Sequence, residues 1–120
     1  MTFDPTEFFH LSQQMMSTGS PNEAVLRTAI GRAYYSAFLS ARAKVPANML
    51  TMLNRPADIH WVVRVAMKKL GHPQIADKLD TLGTQRGDCD YDMSKSIQTT
   101  EADEALKLAD NLLQLIGGLP

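Results

Sequence analysis

The chain has 120 residues, of which 44% are hydrophobic and 21% charged, and its formal net charge is −1. This length suits a single domain covering residues 1–120, and the composition is that of a folded protein rather than a disordered one. A net charge near zero provides no general attraction for nucleic acid, so such binding requires a local basic face. The single cysteine, Cys89, excludes an internal disulfide and fits a reducing compartment. Without a long apolar run, the chain is predicted to be cytoplasmic, with no membrane contact.

Start and stop signals predict two helices in the first part of the chain. Asp4 followed by Pro5 is typical of a helix start, and the first helix should end at Gly19. A second start at residues 20–23, with Ser20 at its head, opens a long helix that should reach about residue 44, before Pro46. The residues predicted to share the apolar face of the first helix are Phe8, Leu11 and Met15.

The long second helix has two faces that are predicted to be buried. The core stripe consists of aliphatic and small residues: Leu26, Ile30, Ala33, Ala37 and Ala41. The opposite face combines charged and apolar residues: Thr28, Arg32, Tyr35, Leu39 and Arg42. Because Tyr and Leu seldom lie between charges on a solvated face, either the N-terminal helix or a second protomer should cover this surface.

The second part of the chain predicts three more helices. A connector at residues 47–56, with one helical turn at 49–53, precedes a helix over 57–70. The next helix starts at Pro73 and should end near Gly83 or Gly87, and a loop follows at 94–99. Thr100 with Asp103 should open the last helix, whose predicted stripe is Leu106, Ala109, Leu113 and Ile116. The sequence therefore predicts an all-α, up-and-down bundle of four to five helices.

The segment at residues 85–92 combines one cation with several anions at the predicted end of a helix. Arg86 continues the apolar stripe formed by Ile75, Leu79 and Leu82, and three aspartates and a tyrosine follow it. A guanidinium removed from water is costly unless it is paired. Arg86 is therefore expected either to form a structural ion-pair network or to face a cleft as part of a site.

Two segments resemble a known family. The sequence Arg-Ala-Tyr-Tyr-Ser-Ala-Phe at residues 32–38 resembles the R-A-Y-Y-A-A-F signature of small prokaryotic HEPN-domain proteins. Residues 79–92 resemble the "L…R…A-D-Y-D" stretch of the same proteins, and the order and spacing match over about residues 20–116. The resemblance implies a HEPN-like helical bundle that forms a homodimer, with the arginine segments of both protomers close together at a shared groove.

The resemblance also implies which residues act. Many HEPN proteins are metal-independent ribonucleases in which an arginine stabilises phosphate and a histidine a few residues later transfers a proton. Arg86 matches that arginine, but Tyr91 stands where the histidine is expected. A phenol with a pKa near about 10 is a poor proton shuttle at neutral pH. RNA or nucleotide binding without catalysis is therefore expected. The residues predicted to bind are Arg86, Asp90, Tyr91, Arg32 and Tyr35, and Arg86 and Tyr91 would also be the catalytic pair of an active form.

Other constellations predict little chemistry. The aspartates at 88, 90 and 92 copy the start of a calcium loop, but Met93 stands where that loop needs glycine, so no metal or cofactor is expected. His10, His60 and His72 are far apart in sequence and form no recognisable site.

Three functions follow from this sequence. The first is an RNA- or nucleotide-binding homodimer in a toxin–antitoxin or defence setting, with a nucleotidyltransferase-type antitoxin as partner. The second is a purely structural or protein-interaction bundle, and the third is a metal-independent ribonuclease toxin.

Overall fold

The structure is a computed structural model that describes residues 3–52 and 58–120. These residues form no strands, and their helices in chain order are α1 (Thr6–Met16), α2 (Glu23–Lys44), α3 (Ala47–Met52), α4 (Ile59–Lys69), α5 (Pro73–Tyr91) and α6 (Thr99–Gly117). The predicted all-α class is confirmed. Within the described ranges, no helix has both the length and the apolar character needed to cross a bilayer. Two predicted boundaries, residue 53 at the end of a turn and Ala57 at a helix start, lie outside the described residues.

Several helix starts differ from the prediction by one or two residues. α1 begins at Thr6, whose backbone N–H donates to the Asp4 carboxylate at 3.0 Å. Asn22, rather than Ser20, caps α2 by accepting the Val25 N–H at 3.0 Å. Neighbouring polar residues compete for the same backbone N–H donors, so the start of a helix can differ from the predicted one by a residue or two.

α2 lies at the centre of the fold. It packs against α1, α4, α5 and α6, and α3 packs against α4. The predicted core stripe is confirmed, since all its members are buried: Leu26, Ile30, Ala33, Ala37 and Ala41. α2 has 22 residues and carries small residues on its core face, so several neighbouring helices can approach it closely.

The predicted core stripe of α1 was wrong by a rotation of the helix, whereas that of α6 was right for Ala109 and Ile116 and wrong for Leu106 and Leu113, which are only partly buried. In α1 the buried residues are Phe9 and Ser12, whereas Leu11 is exposed. The Ser12 hydroxyl donates to the backbone oxygen of Ala29 on α2 at 2.8 Å, so a polar side chain lies at this contact. In α6 the core face consists of Ala102, Ala105, Ala109, Leu112 and Ile116. Small residues such as alanine and serine lie at these close helix contacts. A search for a repeating pattern of large apolar residues gives such small residues too little weight.

The start of α6 was also predicted incorrectly. The helix begins at Thr99, and the Glu101 side chain accepts the backbone N–H of Gln98 at 3.3 Å. This pair replaces the predicted pair of Thr100 and Asp103. The two arrangements differ by two residues and use the same reciprocal bonding of a first helical turn.

α5 continues past both glycines at which it was predicted to end. It reaches Tyr91, so the predicted change from helix to loop at Arg86 was wrong. Arg27 of α2 stabilises this end of the helix, because its guanidinium donates to the carbonyl oxygens of Asp88, Cys89 and Asp92 at 2.9–3.2 Å. The last carbonyls of a helix lack partners within it, and a cation placed there also interacts favourably with the helix dipole.

The second face of α2 is covered in part by α1. The Arg32 guanidinium carbon lies 5.1 Å from the centre of the Phe8 ring. Tyr35 and Leu39 are partly buried against the core, whereas Thr28 and Arg42 are exposed. Contact with the N-terminal helix thus accounts for part of this face, and a second protomer on it stays a prediction.

Candidate functional site

Arg86 lies inside the fold at the junction of α2 and α5. Its side chain is 17% exposed, and its Nη1 atom donates to the Asp90 carboxylate at 3.2 Å, one helical turn further along. The arginine stem lies beside Gly31 of α2, where a Cβ would be 3.9 Å from Arg86 Cγ, an ordinary van der Waals contact. The Arg86 Nε atom is buried without a hydrogen-bond acceptor among the described residues. The guanidinium is therefore only partly satisfied by the protein.

The Arg86 guanidinium lies over two tyrosine rings of α2. Its central carbon is 5.4 Å from the centre of the Tyr34 ring and 5.6 Å from that of Tyr35. Arg32 approaches Tyr35 as well, at 5.4 Å from the ring centre. Cation–π contacts of this kind stabilise a guanidinium while leaving its edge donors available. Four predicted binding residues, Arg32, Tyr35, Arg86 and Asp90, thus lie together.

His60 of α4 completes this cluster, although no site role was predicted for it. Its Nδ1 atom lies 2.6 Å from the Tyr34 hydroxyl, and its ring stacks on Phe38 with the centres 4.3 Å apart. The His60 ring also lies edge-on to Tyr35, 6.1 Å between centres. Side chains from three helices therefore meet here. We call this group the aromatic–cation cluster, and its members are Arg32, Tyr34, Tyr35, Phe38, His60 and Arg86.

The charges of the cluster shift the pKa values of its members. Burial raises the pKa of Tyr34 to about 12, so its hydroxyl keeps its proton. Burial and then the Arg86 charge lower the pKa of His60, which favours the neutral ring. Burial opposes the charge of Arg86, but the bond to Asp90 and the tyrosines outweigh it and raise the pKa of Arg86. The cluster holds a permanent cation beside a neutral imidazole at neutral pH.

The remaining predicted site residue, Tyr91, lies apart from Arg86. Its side chain is 78% exposed at the end of α5, and within the described ranges it makes no ring or hydrogen-bond contact with the cluster. The other two aspartates also act elsewhere. Asp88 pairs with Lys95 at 2.8 Å, and the carboxylate of Asp92 accepts the backbone N–H of Ser94 at 3.0 Å. Of the three aspartates, Asp90 is the one that reaches Arg86.

The cluster is suited to binding an anion beside a planar group. Guanidinium and imidazole N–H donors recognise phosphate oxygens, and aromatic rings stack on nucleic-acid bases. The described residues contain no group of three or more His, Cys, Asp or Glu side chains placed to hold a metal ion. Burial raises the pKa of the Cys89 thiol to about 11, so this cysteine is not activated as a nucleophile.

The sequence is similar to that of the uncharacterized protein MJ0992 of Methanocaldococcus jannaschii. The two are 32% identical over 121 aligned residues, which cover 86% of this chain and 68% of the relative. No protein-family model matches the chain. No solved structure matches it significantly. Given the identity and the coverage of both proteins, the chain belongs to the same family as the uncharacterized protein MJ0992.

Proposed function

We propose that this protein is a HEPN-like module that binds single-stranded RNA through the aromatic–cation cluster and does not cleave it. Arg86 and Arg32 contact phosphate, and the Tyr35 ring, whose centre lies 5.4 Å from Arg32 and 5.6 Å from Arg86, holds the two guanidiniums together. The proposed setting is a cytoplasmic toxin–antitoxin or defence pair with a nucleotidyltransferase-type partner.

The observation that carries this proposal is the incomplete pairing of Arg86. Its hydrogen-bonding partner among the described residues is Asp90, and the Asp90 side chain is 42% exposed. An exposed carboxylate one turn away is a weak partner, which an RNA phosphate can displace or supplement. A fully paired guanidinium would have no such capacity.

The absence of cleavage is proposed from the position of Tyr91. This residue replaces the expected histidine, and its exposed phenol makes no contact with Arg86 in the described ranges. General acid–base catalysis needs a group within hydrogen-bond reach of the reacting atoms and a pKa near the operating pH. Tyr91 does not meet the first requirement, because its exposed phenol lies apart from Arg86.

RNA binding is tested by fluorescence anisotropy with a labelled single-stranded RNA. Arg86→Gln should weaken binding about tenfold or more, because a hydrogen bond to a charged group contributes about 1.5–3 kcal/mol. Binding should also weaken with added salt, since phosphate contacts release counterions. The labelled RNA, analysed by gel electrophoresis after incubation, should stay intact.

Lys107→Gln is the matched control, because it removes one exposed cation from α6, away from the cluster. Equal weakening by both variants would indicate non-specific attraction and would contradict the assignment of Arg86. RNA cleavage that is lost in Arg86→Ala would contradict the non-catalytic part of the proposal.

The homodimer is part of the same proposal. Two large side chains, Tyr91 and Met93, are strongly exposed at the end of α5, at 78% and 73%. They are close in sequence to a groove of about 380 Å³ between α2 and α5, which is lined by Ala24, Arg27, Thr28, Gly31, Arg32, Cys89 and Asp90. Large exposed side chains together with arginines are enriched at protein interfaces, which supports a dimer contact at this end of α5. Light scattering at high concentration should give twice the chain mass, and a monomer mass would refute the dimer.

The second candidate function is a structural or protein-interaction bundle. The low exposure of Arg86 and its ion pair with Asp90 favour this alternative, because both also stabilise a fold. The RNA assay separates the two functions, since the interaction bundle predicts no binding that depends on Arg86.

A further inference from the structure

We propose that His60 belongs to the same anion-binding site as Arg86, with Tyr34 holding one edge of the imidazole while the other edge contacts an RNA phosphate. This inference deepens the proposed function and rests on it. It assigns a binding residue from α4, which is distant in sequence from the arginine segment and was not predicted to act.

The first support is the position of both groups around one phenol ring. Arg86 lies over Tyr34, at 5.4 Å from the ring centre, and His60 meets the hydroxyl of the same tyrosine at 2.6 Å. Tyr35 has the same two neighbours, Arg86 at 5.6 Å and His60 at 6.1 Å from its centre. Arg86 and His60 therefore adjoin the same pair of rings, and the Arg86 charge acts on His60.

The second support is the orientation that Tyr34 imposes on the imidazole. In the tautomer in which the Tyr34 hydroxyl donates to Nδ1, and equally in the protonated ring, His60 carries a proton at Nε2. The Nε2 atom has no hydrogen-bond partner in the described part of the chain. A half-buried ring held at one nitrogen thus has a free donor at the other, as an anion contact requires.

The third support is the charge around His60. Cations oppose protonation of the free ring, and a bound phosphate would offset them, so anion binding and protonation of His60 should favour each other. Binding should therefore become tighter as the pH falls. Five titratable or charged groups act on His60 or contact it. They are Tyr34 and Tyr35 on α2, Asp58 at the start of α4, Arg64 within α4, and Arg86 on α5.

The experiment compares RNA affinity at about pH 8 and about pH 5.5, on either side of the ordinary histidine pKa. The wild-type protein should bind the labelled RNA about tenfold more tightly at the lower pH, since the protonated ring adds a charge-assisted contact. His60→Gln, which keeps a hydrogen-bonding group near Tyr34, should lose most of this gain. Its affinity at the higher pH should change less than that of Arg86→Gln.

NMR titration of the histidine ring protons gives a readout that does not need a variant. The resonance missing from His60→Gln identifies His60, and the pKa of this ring should rise when sulfate replaces chloride as the anion. His10 and His72, which lie outside the cluster, serve as internal controls and should move less.

The outcomes separate this inference from the proposed function. If Arg86→Gln abolishes RNA binding but His60→Gln keeps the full gain at low pH, the assignment of His60 is overturned and the proposed function stands. If the wild-type protein binds no RNA at either pH, the proposed function fails. The sulfate titration then decides whether His60 is an anion contact, and an unchanged His60 pKa would overturn it.

Discussion

Gly83 and Gly87 lie one turn apart in α5, yet a methyl group at each position would meet different surroundings. A Cβ at Gly83 would lie 3.2 Å from the Tyr34 ring, whereas one at Gly87 would have no neighbour within 4 Å. Tyr34 cannot easily move away, because it is buried and its hydroxyl is bonded to His60. Gly83 is thus required by the approach of α5 to the cluster, and Gly87 is not.

Alanine substitutions at the two glycines make a matched pair. Gly87→Ala should raise the free energy of unfolding by about 0.5–1 kcal/mol, because alanine loses less conformational entropy in a helix. Gly83→Ala has the same helical advantage, but crowding of Tyr34 costs about 1–3 kcal/mol, so its net effect should be destabilising. Urea denaturation measures both values. Equal stabilisation by the two variants would show that Tyr34 is not held in place.

At the scale of whole helices, the docking of α5 on α2 depends on Arg27. This side chain is 14% exposed, and its bonds to the backbone of α5 extend to the Lys95 carbonyl oxygen at 2.7 Å. The same side chain forms an ion pair with Glu23 at 2.9 Å, which keeps it extended across the helix interface. One arginine therefore satisfies the last turn of α5 and the start of the loop before α6.

Arg27→Met tests this role, because methionine keeps an unbranched side chain but provides no donors. The free energy of unfolding should fall by about 2–3 kcal/mol, as expected when several backbone acceptors lose a charged partner. Amide hydrogen exchange should accelerate at the end of α5 before the rest of the chain. Glu23→Gln, which removes only the ion pair, should change stability by less than about 1 kcal/mol. Similar effects of both variants would contradict the importance of the backbone contacts.

On the scale of the molecule, the aromatic–cation cluster joins α2, α4 and α5 through groups that respond to pH. His60 has a lowered pKa in the folded protein, first through burial and then through Arg86. The unfolded chain therefore binds more protons than the folded one between the lowered pKa and the ordinary value of about 6.5. Stability rises with pH in this window and is lost as the pH falls through it.

The free energy of unfolding should therefore decrease when the pH is lowered from about 7 towards 5, and His60→Gln should flatten this part of the curve. A second decrease should follow below about pH 4, where Asp4 and Asp92 become protonated. The pKa of each is lowered, because the Asp4 carboxylate accepts bonds from Thr6 and that of Asp92 from Ser94. The variant should retain this second decrease. Chemical denaturation at a series of pH values measures both steps, and identical curves for the two proteins would exclude His60 as the cause of the first.

The amino-acid sequence alone determined the helical class, the core stripe of α2 and the inward position of Arg86. These features follow from local periodicity, because Ile75, Leu79 and Leu82 place the next residue of their stripe against the core. The capping of α5 is not local. Arg27 reaches a carbonyl 65 residues away, at the end of a helix that continues beyond two glycines.

Only the tertiary structure decided which side chains meet at Arg86. Tyr34 and His60 are 26 residues apart, and no periodicity within one helix relates them. The packing of α4 against α2 and α5 brings His60 to the tyrosine pair, whereas Tyr91, near Arg86 in sequence, points to solvent. Proximity in the chain therefore suggested a contact between Tyr91 and Arg86 that the structure does not show, and gave no sign of the position of His60, because the contacts of a helix bundle are formed between helices.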